Sequence, residues 1–143
     1  MAIAPYVEFD ADPAWPNAER LEKWRVDWRG FIAPFMQAVF TEPDSGDLIG
    51  EMTAIGLDAS PDAVVVQEHE LDWQRPARLL GGVSCPTLVI HGDSDQFLDL
   101  SAVQRIVDAI PGARVEVIPG GGHRPDIRSP ELVNPLLKVF LID

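Results

Sequence analysis

A carboxylate and an imidazole, the residue types that trade protons in hydrolytic sites, stand at matching places in this chain. Asp95 and His123 each follow an apolar run and a glycine-containing turn. Before Asp95 comes Cys85-Pro86-Thr87-Leu88-Val89-Ile90-His91-Gly92-Asp93-Ser94, in which a proline that cannot donate to a ladder is followed by strand formers, a glycine and short polar residues. It reads as a buried strand entering a tight turn. Before His123 come Val115-Glu116-Val117-Ile118 and the flexible Pro119-Gly120-Gly121-Gly122. Parallel strands direct their last side chains into a shared crevice, so Asp95 is placed to orient the His123 imidazole, fix its tautomer and stabilise its protonated form.

The elements that must hold this pair follow from spacing. Ser101 is expected to cap a helix with Val103, Ile106, Val107 and Ile110 inward, and Pro111-Gly112 to stop it. A strand over Arg114 to Ile118 leads to the histidine turn. Ser129-Pro130-Glu131 starts a last helix with Leu132, Val133, Leu136, Leu137 and Phe140 on one face, and Pro135 should kink it or delay its start. Upstream, residues 17–80 show helix signals without strand signals. Asn17 caps a helix bearing Leu21, Trp24, Trp28, Phe31 and Phe35 at spacings of three and four, with Gly30 and Pro34 expected to split it. Ser45 or Asp44 caps a second, with Leu48, Ile49, Met52 and Ile55 on one face, and Ser60-Pro61-Asp62 starts another that runs to about Trp73.

The order from Pro86 to Asp95, a helix, then Arg114 to His123 resembles the last third of an α/β-hydrolase, whose triad runs nucleophile, acid, histidine. The resemblance implies that Asp95 is the catalytic acid and His123 the catalytic base. It implies an α/β fold class: a partial α/β-hydrolase fold, a helical cap followed by the last β-α-β-α units of a mostly parallel sheet. Residues 1–16 would then be the end of a core strand and a linker, 17–80 the helical cap, and 81–143 the C-terminal part of the core. The stretch from Asp27 to Ser45 is also similar to caps of α/β-hydrolases fused to cyclase-type or other regulatory domains. Trp24, Trp28 and Phe35 are the expected substrate-binding residues, although an aromatic stripe is ordinarily helix-packing core.

The family's nucleophile is missing. Its serine sits in G-x-S-x-G, and none of Ser45, Ser60 or Ser84 has glycine two residues away on both sides. The oxyanion donor that follows the nucleophile goes with it. Each βαβ step takes at least ~30 residues, so 143 residues hold about half of such a fold.

Other sites are excluded on residue type. Asp93, Asp95 and Asp99 are spaced like a calcium loop, but Phe97 stands where an oxygen ligand belongs and Leu98 where glycine is needed. After Gly120-Gly121-Gly122 no G-K-[ST] follows, and Pro125 stands at the third glycine of a dinucleotide fingerprint. His91 reads as a packed or hydrogen-bonded strand residue and His69 as exposed; neither has zinc-ligand spacing. No metal and no cofactor are expected. Asp93 reads as a turn former, with a carboxylate that meets the histidine if the turn is drawn differently.

With 46% hydrophobic and 24% charged residues the composition is that of an ordinary globular protein. The net charge of −12 repels nucleic acid and anionic membrane, and it is concentrated in residues 1–80, where 15 acids face 6 bases, against 8 and 5 in residues 81–143. The single cysteine, Cys85, permits no internal disulfide and reads as an inert thiol before a buried strand. With no leader and no membrane-length apolar run, the chain reads as cytoplasmic. The expected function is the acid and histidine portion of an esterase-like hydrolase, inactive as an isolated chain. The alternatives are a half-enzyme needing an N-terminal partner chain, a non-catalytic remnant or binding module, homo-oligomeric in some arrangements, and part of a longer hydrolase acting on a small-molecule substrate. In a partial fold, the strand from Thr87 to Ile90 should have an open edge or an intermolecular neighbour.

Overall fold

Thr87 to Gly92 are buried without a break because both faces of their strand are covered. In the computed structural model, which describes residues 2–3, 17–72 and 75–142, this strand is β2 (Leu88–Gly92). It lies between β1 (Ala2–Ile3) and β3 (Arg114–Ile118), and both pairings are parallel. Val89 packs with Leu98, Val103, Ile106 and Ile110 on one face, and Leu88 and Ile90 with Ile118 and Val133 on the other. Val89 and Ile90 are 0% exposed, and burying each stabilises the fold by ~1.5–3 kcal/mol.

The two covering layers are helices, as a parallel sheet requires. On one side α6 (Leu100–Ala109) presents Val103 and Ile106, with Ile110 just past its end. On the other, α8 (Pro130–Ile142) presents Val133, with Leu136, Leu137 and Phe140 partly buried beside it. Pro135 is accommodated within α8, and a short helix not anticipated from sequence, α7 (Pro125–Arg128), precedes it. Asp99, and not Ser101, is the N-cap of α6: its Oδ1 accepts from Ala102 N at 2.8 Å, while Ser101 Oγ donates to the same oxygen. The acid two residues earlier reaches the free amide in Asx geometry and enlists the serine as its own donor.

The described residues between 18 and 79 form five helices: α1 (Ala18–Val26), α2 (Trp28–Val39), α3 (Gly46–Leu57), α4 (Pro61–Glu70) and α5 (Arg75–Leu79). Asn17 caps α1 through Arg20 N and Ser60 caps α4 through Ala63 N. The first break falls at Asp27, ahead of Gly30 and Pro34, which both lie inside α2. Asp27 ends α1 and starts α2 by accepting from Gly30 N at 2.9 Å. A Cβ at position 30 would collide with that carboxylate, so the glycine serves the cap and does not break the helix. Ser45 stands at the start of α3 without a capping bond, and Asp44 adopts φ 60°. The helix expected to run to Trp73 ends at Glu70; Trp73 and residues 4–16 lie outside the described residues.

β2 is paired on both sides, so the open edge expected on it is absent. Ala2 and Ile3 sit opposite Val89 and Ile90 and move the edge outward, leaving β1 and β3 as the edges among the described residues. Cys85 is exposed, because the chain reaches the buried strand only at Thr87.

Candidate active site

The turn after β2 is closed around the carboxylate it carries. Asp95 Oδ1 accepts from Phe97 N at 2.7 Å and Leu98 N at 3.3 Å. Its Oδ2 lies 2.9 Å from His123 Nδ1. The Asp95 side chain is 1% exposed and that of His123 18%. Burial alone would raise the Asp95 pKa, but the His123 bond, the Phe97 amide, the imidazole's charge and the Leu98 amide together hold it below the ordinary carboxylate value. The carboxylate, an obligate acceptor, receives the proton on Nδ1 and leaves Nε2 as the ring atom available for chemistry.

The two loops are joined backbone to backbone. Asp93 N donates to Ile118 O at 3.3 Å and Ser94 N to Gly121 O at 2.9 Å, while Gly120 N donates to Asp93 Oδ1 at 2.6 Å. Asp93 therefore serves the turn, and Asp95 is the acid that meets the histidine. The approach is close enough that a Cβ on Gly92 would overlap the Gly121 carbonyl. Glycine at 92 is thus required by contact, with no demand for a positive φ.

A third segment, between α2 and α3, is tied to both loops. His123 N donates to Val39 O at 2.9 Å, Gly122 N to Glu42 Oε1 at 2.7 Å, and Thr41 Oγ1 to Ser94 O at 3.3 Å. Arg128 Nε donates to Ser45 Oγ at 2.9 Å and Arg128 also reaches Pro43 O at 2.9 Å. Val39 and Phe40 are buried here. Sequence reasoning missed the roles of Val39, Thr41 and Glu42, because each depends on partners more than 50 residues away.

The aromatic stripe continues into the site. Trp24 stacks on Phe31 with centroids 4.4 Å apart, Phe31 meets Phe35 at 5.5 Å, Phe35 meets Phe97 at 5.3 Å, and Phe97 meets the His123 ring at 4.8 Å. Phe97 is the link that sequence reasoning passed over, having weighed it only as a failed calcium ligand. Trp28 stands beside this row, tilted against Phe31 at 5.4 Å, and donates Nε1 to Gly56 O at 3.0 Å, which holds α2 against α3. At the far end from His123, Trp24 and Phe31 line an open groove of ≈ 670 Å³ with Lys23 and Val26. His91 is buried and bonded, and His69 is exposed beside Glu70. Among the described residues there is no group of three or more His, Cys, Asp or Glu that would hold a metal, and no helix long and apolar enough to cross a membrane.

An acid on the loop after one parallel strand, a histidine on the loop after the next, and a covering helix on each face define the C-terminal part of an α/β-hydrolase. The chain adopts part of the α/β-hydrolase fold. Against solved structures it is similar to a thermophilic esterase from Thermogutta terrifontis, with TM-score 0.81 and 27% identity over 97% of this chain and 53% of that one. A bromoperoxidase from Bacillus anthracis shares the fold at TM-score 0.74 and 23% identity, covering 98% of this chain and 55% of that one. Among curated proteins it is 43% identical over 60 residues to a putative non-heme chloroperoxidase from Synechocystis, which is 41% of this chain and 22% of that protein. A putative carbamate hydrolase RutD from Klebsiella pneumoniae matches at 22% identity over 87% of this chain and 43% of its own length. The chain therefore spans less than half of these curated relatives and about half of the solved structures. No protein-family model matches it.

Proposed function

We propose that this chain supplies the acid and the general base of a hydrolase acting on an ester or related acyl bond of a small molecule. The observation that carries this is the Asp95–His123 contact, 2.9 Å long with the acid's side chain 1% exposed. In this reading His123 Nε2 takes the proton of an attacking serine and returns it to the leaving group, while Asp95 holds the ring and balances the imidazolium. Were the nucleophile an aspartate, the same nitrogen would activate the hydrolytic water. No G-x-S-x-G occurs in these 143 residues, so the nucleophile and oxyanion donors come from sequence beyond them, on the same polypeptide or on an N-terminal partner chain. The isolated chain is then inactive.

Residues 17–80 act as the cap in this reading, with Trp24 and Phe35 along the aromatic row and Trp28 beside it forming the wall a substrate meets. The ring contacts that run from Phe35 through Phe97 to His123 support this assignment. A cytoplasmic setting fits the lone thiol. The edges that β1 and β3 leave open among the described residues suit a partner chain or a second copy.

The test is p-nitrophenyl acetate hydrolysis by this chain co-expressed with the nucleophile-bearing N-terminal half of a structurally similar esterase. Turnover that is absent from the chain alone and abolished by Asp95→Asn is expected. Turnover indifferent to Asp95, or none in an assembled complex, would favour a non-catalytic binding module.

A further inference from the structure

Behind the acid stands a second imidazole. The His91 side chain is 1% exposed, at the end of β2, and its Nε2 lies 2.9 Å from Leu98 O. A carbonyl only accepts, so Nε2 carries the proton and the ring is bare at Nδ1 when neutral. That Nδ1 has no hydrogen-bond partner among the described residues, and it lies 3.7 Å from Asp95 Oδ2, the oxygen that His123 also uses. At 3.7 Å the pair is too long for a hydrogen bond but close enough for a proton placed between them to form one after a small shift.

Leu98 closes the arrangement. Its carbonyl is held by His91 and its amide donates to Asp95 Oδ1 at 3.3 Å, so the ring that stands behind the carboxylate also fixes the turn presenting it. Leu98 itself is buried in the cluster around Val89, which keeps this turn from drifting.

We propose that His91 is a positioning residue for the Asp95–His123 pair: it anchors the acid's turn through Leu98, and on taking a proton at Nδ1 it competes with His123 for Asp95 Oδ2. The charged groups that bear on it are Asp95, Asp99 and His123. Arg105 and Asp108 of α6 and Glu116 of β3 are exposed, and Glu42 is engaged with Gly122. With His91 neutral, Oδ2 is free for His123. With His91 charged, one buried oxygen faces two cationic rings, and the bond to His123 weakens as pH falls.

This inference rests on taking Asp95 and His123 as acid and base, and its test needs no turnover, so failure of the hydrolase reading and failure of this one are told apart. The experiment is a nitrogen-15 and proton titration of the histidine rings in the 143-residue chain, wild type beside His91→Gln and His91→Phe. Gln can keep a donor to Leu98 O but cannot charge; Phe fills the volume and offers no donor. In wild type the His91 signals should report the Nε2–H tautomer, and its protonation should coincide with loss of the His123 Nδ1 proton resonance. In His91→Gln that resonance should persist to lower pH, and in His91→Phe it should weaken at every pH. Identical His123 titrations in wild type and His91→Gln would overturn the competition. So would an Nδ1–H tautomer of His91 in wild type, a result that needs no variant to fold.

Discussion

The two regions of the molecule are built to different tightness. Around β2 the buried residues form two continuous clusters, one on each face of the sheet, and the acid and histidine loops hang from the ends of paired strands. In the helical region, α3, α4 and α5 contribute no buried residue, and Leu21, Ile32, Val39 and Phe40 carry most of the packing. The two are joined by the 39–45 segment, by a row of rings, and by Ala77 and Leu80, which pack against the Val89 cluster. The tighter part holds the Asp95–His123 pair, and under the proposed function a looser covering suits fixed chemistry with variable substrate choice.

If the tight region carries the chemistry, its most sensitive position is Asp95. In an assembled site Asp95→Asn should lower kcat by about 10⁴-fold, because the amide can present a donor to Nδ1 and favour the wrong tautomer. The same substitution isolates an acid effect on stability. Asp95 has a folded pKa below its ordinary value of 3.8, so the unfolded chain binds the proton more tightly. Its stabilisation is present in full above the unfolded value and is lost as pH falls through the lower folded value. The gap between wild-type and Asp95→Asn melting temperatures should therefore shrink below about pH 4. A gap that widens below about pH 4 would contradict the assignment.

Next comes Gly92→Ala. A methyl group there would overlap the Gly121 carbonyl, so either β2 or the histidine loop must move. A loss of roughly 3 kcal/mol in urea unfolding is expected, together with loss of the His123–Asp95 proton signal. Full stability with an intact signal would mean that the loops are less closely joined than their hydrogen bonds suggest.

What was legible in the sequence follows the same division. β3 and the Asp95–His123 juxtaposition were readable because apolar runs, a glycine turn and a short acid are local signals. β2 was placed to within two residues. Places where two local signals compete were not readable: Ser101 looks like a cap until Asp99 reaches the same amide, and Gly30 and Pro34 look like breakers until Asp27 is seen to need the glycine. Nor were Glu42, Arg128 and Phe97, whose partners are set by tertiary approach across as many as 85 residues. A core strand at the start of the chain is what the resemblance implies, and Ala2–Ile3 form one; that it covers the edge of β2 is the part no local signal gives.

At the seam between the regions, Phe97→Ala should have an intermediate effect. The ring is half-buried, touching Phe35 and His123, so about 2 kcal/mol of stability should be lost. Its more telling consequence is mobility of the His123 ring, read as broadening of its signals while those of His91 stay sharp. Equal broadening of both would place Phe97 in the common core and not at a joint.

The smallest effect belongs to the outer face of the helical region. Arg25 Nε lies 2.6 Å from Asp62 Oδ1 and joins α1 to α4, with the two side chains 55% and 71% exposed. Water screens such a pair, and ordering two mobile side chains offsets most of the attraction, so Arg25→Ala should cost under about 1 kcal/mol, less at high salt. Arg25 also meets Glu22 at 3.6 Å, so only a double-mutant cycle with Asp62→Ala isolates the bond between the helices. A coupling near zero is what a region held by ring packing and the 39–45 segment predicts. A coupling of several kcal/mol would mean that surface charge fixes the helices, and the contrast between a tight core and a loosely held covering would fail at its outer edge.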